Sequence, residues 1–248
     1  MMNYLIIAVI LSCTMMHLLE AVAFASPAAG RLVNRRALGM TIYHSLFNAS
    51  RFFLVIFLPC LGFLIESNIS FEKYFIVVFL CLFLSFLSSF FLVYKLNILQ
   101  QYFQKVFHNY KTTIIPLALL KAITNKFVDI KFVDISRGFT FKDLIIKKVI
   151  ISFIAYAFLS TGYFLSFWLS LKFSEYRLTV SQFTVAFHGF GVIIISFYLD
   201  PMLSSSIDLI EDDNAWINNL YSILFGRVIS FLSTSLTFLI LYFVFLVK

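Results

Sequence analysis

Charge is what this chain has least of. Only 12% of its 248 residues are charged, and Asp and Glu together number 12. A soluble domain carries roughly 25% charged residues, and a globule built from this chain would lack the polar surface to cover itself. That shortage excludes an ordinary water-soluble enzyme, a disordered chain and a basic nucleic-acid-binding domain, so no nucleic acid partner is expected. Cysteine is scarce too. Cys13, Cys60 and Cys81 all lie inside apolar runs, which gives neither a disulfide framework nor the spacing of a metal site. No P-loop, Gly-rich dinucleotide turn, nucleophile elbow or His-Glu-x-x-His zinc helix is found, and no cofactor is implied. What remains is apolar: 61% hydrophobic residues, 33 of them Phe, with a mean hydropathy of +0.96. This is the composition of an integral membrane protein.

A membrane-crossing helix needs roughly 20 apolar residues. Six segments qualify, near residues 4–25, 37–65, 74–94, 149–171, 178–199 and 228–247. The expected fold is an all-α polytopic bundle, a single membrane domain over residues 1–248. Leu5 to Met16 also resembles a signal-peptide core, with Ala23-Phe24-Ala25 as a cleavage site. The missing basic n-region, and His17 and Glu20 between core and site, favour a retained first span.

Lys and Arg set the orientation. The first loop and the 95–148 segment carry thirteen, whereas the opposite side carries four: Lys73, Lys172, Arg177 and Lys248. Both termini are therefore expected outside, and the net charge of +7 is a topology signal. The loop after span five is acidic (Asp200, Asp208, Glu211, Asp212, Asp213), which neither supports nor opposes that placement. Within 95–148, Ile98, Leu99, Tyr102, Phe103, Val106, Phe107 and Tyr110 recur at helical spacing, opposite Gln100, Gln101, Gln104 and His108. This reads as an amphipathic cytoplasmic helix, extending span three or lying at the membrane interface. A tandem copy, Lys126-Phe-Val-Asp-Ile130 then Lys131-Phe-Val-Asp-Ile135, follows without an evident role.

Burying an ionisable side chain in a bilayer costs about 2.5–3.5 kcal/mol by insertion scales, so polar groups inside the spans are the informative ones. His17 and Glu20 share a face of span one; His44, Asn48 and Arg51 form a stripe on span two. His17 and His44 are nearly equidistant from the loop centred at Arg31, so Glu20, His17, His44 and Asn48 are expected to form one cluster. Arg51 sits deeper and has no evident counter-charge, and its planar fork of donors suits phosphate. His188 reaches a comparable zone but cannot neutralise a cation. Arg227 opens span six, where Asp200 or Asp208 could pair with it. Each of these groups also admits a plainer role as interhelical glue. His17-x-x-Glu20 alone does not make a metal site, and Phe187-His-Gly-Phe-Gly191 reads as a place of close helix packing.

Several short motifs resemble one family. His17-Leu-Leu-Glu20-Ala, Ala29-Gly30-Arg31, Ala37-Leu38, Ser45-Leu46-Phe47-Asn48 and Ser50-Arg51 look like the N-terminal half of the Amj family. Asp200-Pro201, Asp208 and Gly226-Arg227 look like its C-terminal half. Residues 71–180 carry no matching motif. The resemblance implies a six-span protein of the bacterial cytoplasmic membrane that acts as an alternate lipid II flippase, a transporter and not an enzyme. Its substrate would be a polyprenyl pyrophosphate bearing a sugar headgroup, and membrane lipids and cell-wall synthesis proteins would be its partners. Arg51 would then hold the pyrophosphate, with Arg227 as an approach contact. Arg31, Arg35 and Arg36 would gather headgroups, while His17, Glu20 and His44 line the groove. Three other readings stay open: another polyprenyl-linked glycan such as an O-antigen unit as cargo, a lipid-modifying membrane enzyme, and a passive scaffold for envelope proteins.

Overall fold

The computed structural model describes residues 2–124 and 141–246 and is helical almost throughout, with no strand among the described residues. The tandem copy at 126–135 lies outside them. Six helical stretches are long and apolar enough to cross a membrane: Met2–Leu32, Arg36–Glu66, Phe71–Tyr94, Ile146–Lys172, Ser174–Leu209 and Asn214–Leu246. We call these spans one to six.

Spans three, four and six are single helices: α5 (Phe71–Tyr94), α8 (Ile146–Lys172) and α12 (Asp213–Leu246). The other three are interrupted. Span one divides into α1 (Met2–Ala23) and α2 (Ala25–Leu32), because Pro27 has no N–H to return to the carbonyl of Ala23. Span two divides into α3 (Arg36–Ser50), a 3₁₀ turn at Arg51–Phe53, and α4 (Leu54–Glu66), which contains Pro59. Span five is the most broken. A 3₁₀ turn at Ser174–Tyr176 precedes α9 (Arg177–Ser181) and α10 (Phe183–Ile194), and a π-helical turn at Ile195–Leu199 joins α10 to α11 (Asp200–Leu209). Asn34 and Asn68 close the turns after spans one and two at φ 54° and 53°, left-handed values that Asn tolerates better than most residues.

Around the bundle the helices run in the order two, one, three, six, four, five. Two apolar cores fill it. One is centred on Phe103, Phe107, Tyr156 and Trp216, the other on Phe57, Phe75, Phe164 and Phe238. The end carrying Arg35 and Arg36 is called the basic end below. Glycines set the closest approaches, since no Cβ keeps the backbones apart. A Cβ on Gly191 of span five would lie 2.6 Å from Leu159 N of span four, and one on Gly226 of span six would overlap Val149 O of span four. The close packing expected around Phe187–Gly191 is thus present at Gly191.

Two expectations change. Span six starts far earlier than residue 228, at Asn214. Asn218, Asn219 and Ser222 hide this from a hydropathy reading, but the last two bond to span four and its approach. Ser222 Oγ accepts from Ile145 N at 2.9 Å, and Asn219 Oδ1 accepts from Lys148 Nζ. At roughly 1.5 Å per residue the 34-residue α12 is about 50 Å long, well beyond an apolar core of about 30 Å. The acidic loop after span five shrinks to residues 210–212. The amphipathic segment forms α6 (Leu96–Asn109), which does not extend span three. It packs across α2 and α7 (Ile115–Thr124) at the basic end. Its inward face includes Gln100 and Gln104 beside Phe103 and Phe107, while Ile98 is exposed.

Candidate functional site

At the centre of the basic half lies a fully buried charge pair. Arg227 Nη2 donates to Glu20 Oε2 at 3.2 Å and to His17 O at 2.8 Å. His17 Nδ1 lies 3.1 Å from the same carboxylate oxygen, and Ser50 Oγ lies 3.4 Å from Glu20 Oε1. The Arg227 guanidinium lies against two aromatic rings, 4.4 Å from the Tyr156 centroid and 5.2 Å from that of Phe231. Its Nε reaches Ser89 Oγ at 3.5 Å, and a cavity of about 10 Å³ lies alongside. All three ionisable side chains are inaccessible. Sequence reasoning placed Arg227 at the mouth of span six with Asp200 or Asp208. The structure corrects this: with span six starting at Asn214, Arg227 lies inside the helix and meets Glu20.

A second group lies beside it. Arg51 Nη1 is 2.5 Å from His188 Nε2, and Tyr163 OH is 2.9 Å from the same nitrogen. Arginine has only donors, so Nε2 is the acceptor. The ring proton then sits on Nδ1, which donates to Leu159 O at 3.2 Å. A neutral imidazole therefore serves Arg51 where a carboxylate would be expected. The Arg51 guanidinium also lies 4.9 Å from the Phe47 ring centroid. Among the described residues it makes no ion pair with a carboxylate, and it is partly exposed. Leu159 is the midpoint of span four, Ile146–Lys172, so this cation sits halfway along a membrane-length helix.

His44 and Asn48 do not join Glu20 and His17, contrary to expectation. Tyr43, Leu46 and Ser50 form the face of α3 that packs inward, whereas His44 and Asn48 project to the exterior. The equal depth of His17 and His44 gave the level correctly but not the rotation about the helix axis. His44 Nδ1 instead lies 4.0 Å from Asp200 Oδ2, and Tyr43 OH donates to Asp200 Oδ1 at 3.0 Å.

The arginines expected to gather headgroups are committed to the protein. Arg31 is buried and donates to the carbonyls of Ser206 (3.3 Å), Ile207 (2.9 Å) and Glu211 (3.2 Å), with its guanidinium 4.9 Å from the Trp216 ring centroid. Arg35 donates to Phe107 O at 3.1 Å and Arg36 to Asp208 O at 2.9 Å. Each satisfies carbonyls left over at a helix C-terminus, where the helix dipole also favours a cation. Asp208 is exposed, 4.0 Å from Arg36. Ser89, Tyr156 and Tyr163 were not singled out in the sequence, and Ser50 entered only as part of the Ser50-Arg51 motif. They are uncharged and common in spans, and only their position against Glu20, Arg227 and His188 marks them.

No protein-family model, no curated protein and no solved structure matches this chain.

Proposed function

We propose that this chain is a flippase that carries a polyprenyl-pyrophosphate-linked glycan, of the lipid II kind, across the bacterial cytoplasmic membrane. The basic end would face the cytoplasm, with both termini outside. The reading rests on one observation: Arg51 is a guanidinium at mid-span with a neutral partner and partial exposure. The mid-span group holds two arginines and one carboxylate, and Arg227 already occupies that carboxylate. Counting the two arginines against the one carboxylate, the group has an uncompensated positive charge, and the imidazole that Arg51 meets supplies none of the missing negative charge. Such a charge is expensive in a bilayer, and an anionic ligand repays the cost. A pyrophosphate matches the guanidinium fork, while its prenyl chain stays in lipid. The resemblance to the Amj family supports the same substrate class.

The geometry favours transport over acid–base chemistry on a lipid. His17 and Glu20 are sealed inside the bundle and engaged with Arg227, and His44, the third candidate acid–base group, faces outward apart from them. The decisive experiment uses cells in which this protein is the sole flippase. Lipid II should be cleaved by an externally added headgroup-cleaving toxin. Arg51→Ala should leave it protected while protein abundance is unchanged. Full cleavage in the Arg51→Ala cells would overturn the assignment.

A further inference from the structure

Five of the six seams around the bundle are packed helix against helix: two–one, one–three, three–six, six–four and four–five. The remaining seam, between spans two and five, is different. Close helix packing is confined there to α3 against α11 at the basic end. The two spans otherwise meet through polar side chains, while span two packs behind the seam on span four, with Phe57 against Tyr163 and Phe164. Tyr43 and His44 meet Asp200 near the basic end, Arg51 meets His188 at mid-span, and Arg177 meets Ile65 O (3.1 Å) and Asn68 Oδ1 (3.0 Å) at the far end. Apolar residues beside it, Phe52 and Val55 on span two and Val185 on span five, are exposed.

We propose that the seam between spans two and five is the lateral portal through which an anionic lipid headgroup reaches Arg51, and that Asp200 with Tyr43 and His44 is its latch at the basic end. This rests on the proposed function and adds the route to it. Three observations converge. Polar bridges exchange partners with a polar headgroup at little net cost, whereas apolar interdigitation does not. Both spans that line the seam are broken helices, with a 3₁₀ turn and Pro59 in one and a π turn followed by Pro201 in the other; such interruptions allow helices to bend. Third, the cation stands in the seam itself, held by a partner that a phosphate oxygen can replace. Another opening, a cavity of about 300 Å³ between spans three and six, is lined by Phe86, Phe90, Phe225 and other apolar side chains and offers an anion no polar contact.

The test uses the full-length protein in phosphatidylethanolamine–phosphatidylglycerol vesicles, with a fluorescent polyprenyl pyrophosphate as probe. Tyr43→Cys/Asp200→Cys is bridged by a short, reducible bis-methanethiosulfonate. Lys148→Cys/Asn219→Cys, which links spans four and six at the same end, is the control. Bridging the seam should slow transfer by about tenfold or more, as expected when one conformer is removed from the cycle. Reduction should restore the rate, and the control bridge should change nothing. Unchanged transfer across a bridged seam overturns the portal. If Arg51→Ala still abolishes transfer in that case, the functional reading stands without it. A second measurement needs no transport. Spin labels at the exposed positions Thr41 and Ser205 should give a broader distance distribution than labels at 148 and 219, shifting when the probe is added. A seam distance as narrow as the control, with and without the probe, also overturns the proposal.

Discussion

Arg51 and Arg227 are both arginines in membrane-spanning helices, yet removing them should have very different consequences for stability. Arg227 is fully buried and bonded to a fully buried Glu20. Arg227→Leu leaves that carboxylate with only His17 and a distant serine. Removing one partner of a buried pair costs about 3–5 kcal/mol, or roughly two to four decades in the folded-to-unfolded ratio at about 1.4 kcal/mol per decade. Arg51→Leu loses one charge-assisted hydrogen bond to His188, worth about 1.5–3 kcal/mol, and a cation–π contact with Phe47 worth about 0.5–1 kcal/mol. It also removes the cost of holding an unpaired cation in a span, about 2.5–3.5 kcal/mol. These terms nearly cancel, so Arg51→Leu should be close to neutral. The assay is unfolding of purified protein in mixed detergent micelles, followed by tryptophan fluorescence. A double variant, Glu20→Leu/Arg227→Leu, completes a cycle and should recover most of the loss seen in Arg227→Leu. The reasoning fails if Arg51→Leu is as destabilising as Arg227→Leu, or if Arg227→Leu costs less than about 1 kcal/mol against that expected range.

Replacing His188 by Gln keeps an acceptor for Arg51 and Tyr163, so transport should be largely retained; His188→Leu removes it and should impair transport with abundance unchanged. Arg31→Gln should leave transport nearly intact but loosen the end of α11, losing about 1.5–3 kcal/mol of local charge-assisted bonding, which hydrogen exchange at Leu203–Leu209 would report. Gly226→Ala drives a methyl group into Val149 O and Ser152 Cβ. It should cost about 1–3 kcal/mol through overpacking, seen as a lower melting temperature in detergent.

The number of spans was legible because hydropathy adds up over 20 residues and tolerates local noise. The ends of the spans were not, and the reason is visible in span six. Asn214, Asn218 and Asn219 lower the apolar average of a segment whose Trp216, Ile217 and Leu220 are buried. A polar residue that bonds to a neighbouring helix looks, in sequence, like one that faces water. That error propagated to the site. With span six started at 228, Arg227 could only be a boundary residue, and Glu20 was left without its cation. The level of each group along its helix was recoverable from residue counting at a fixed rise, as with His17 and His44. Its direction around the helix was not, because two stripes on α3, one through Tyr43 and Ser50 and one through His44 and Asn48, are equally regular and nothing local chooses between them. The carbonyl contacts of the three arginines of the first loop were not legible for another reason: a loop cation near a membrane and a cation that caps a helix C-terminus have the same sequence signature.

Correct placement of Arg227 strengthens the case for Arg51. While Glu20 was free, it remained an available counter-ion for either arginine, and a balanced, purely structural network could account for all three. Glu20 is now taken, with its Oε2 bonded to Arg227 and His17. Asp200, the next carboxylate toward the basic end, is engaged by Tyr43 and His44. Arg51 is left with an imidazole whose other nitrogen is fixed to Leu159 O. That bond orients the acceptor without supplying any negative charge. A bundle that needed only to stay folded would lose little by exchanging such a cation for leucine. Its presence at mid-span is most economically accounted for by the proposed ligand, which brings the missing charge with it, arrives along the seam where helix packing is confined to one end, and leaves again.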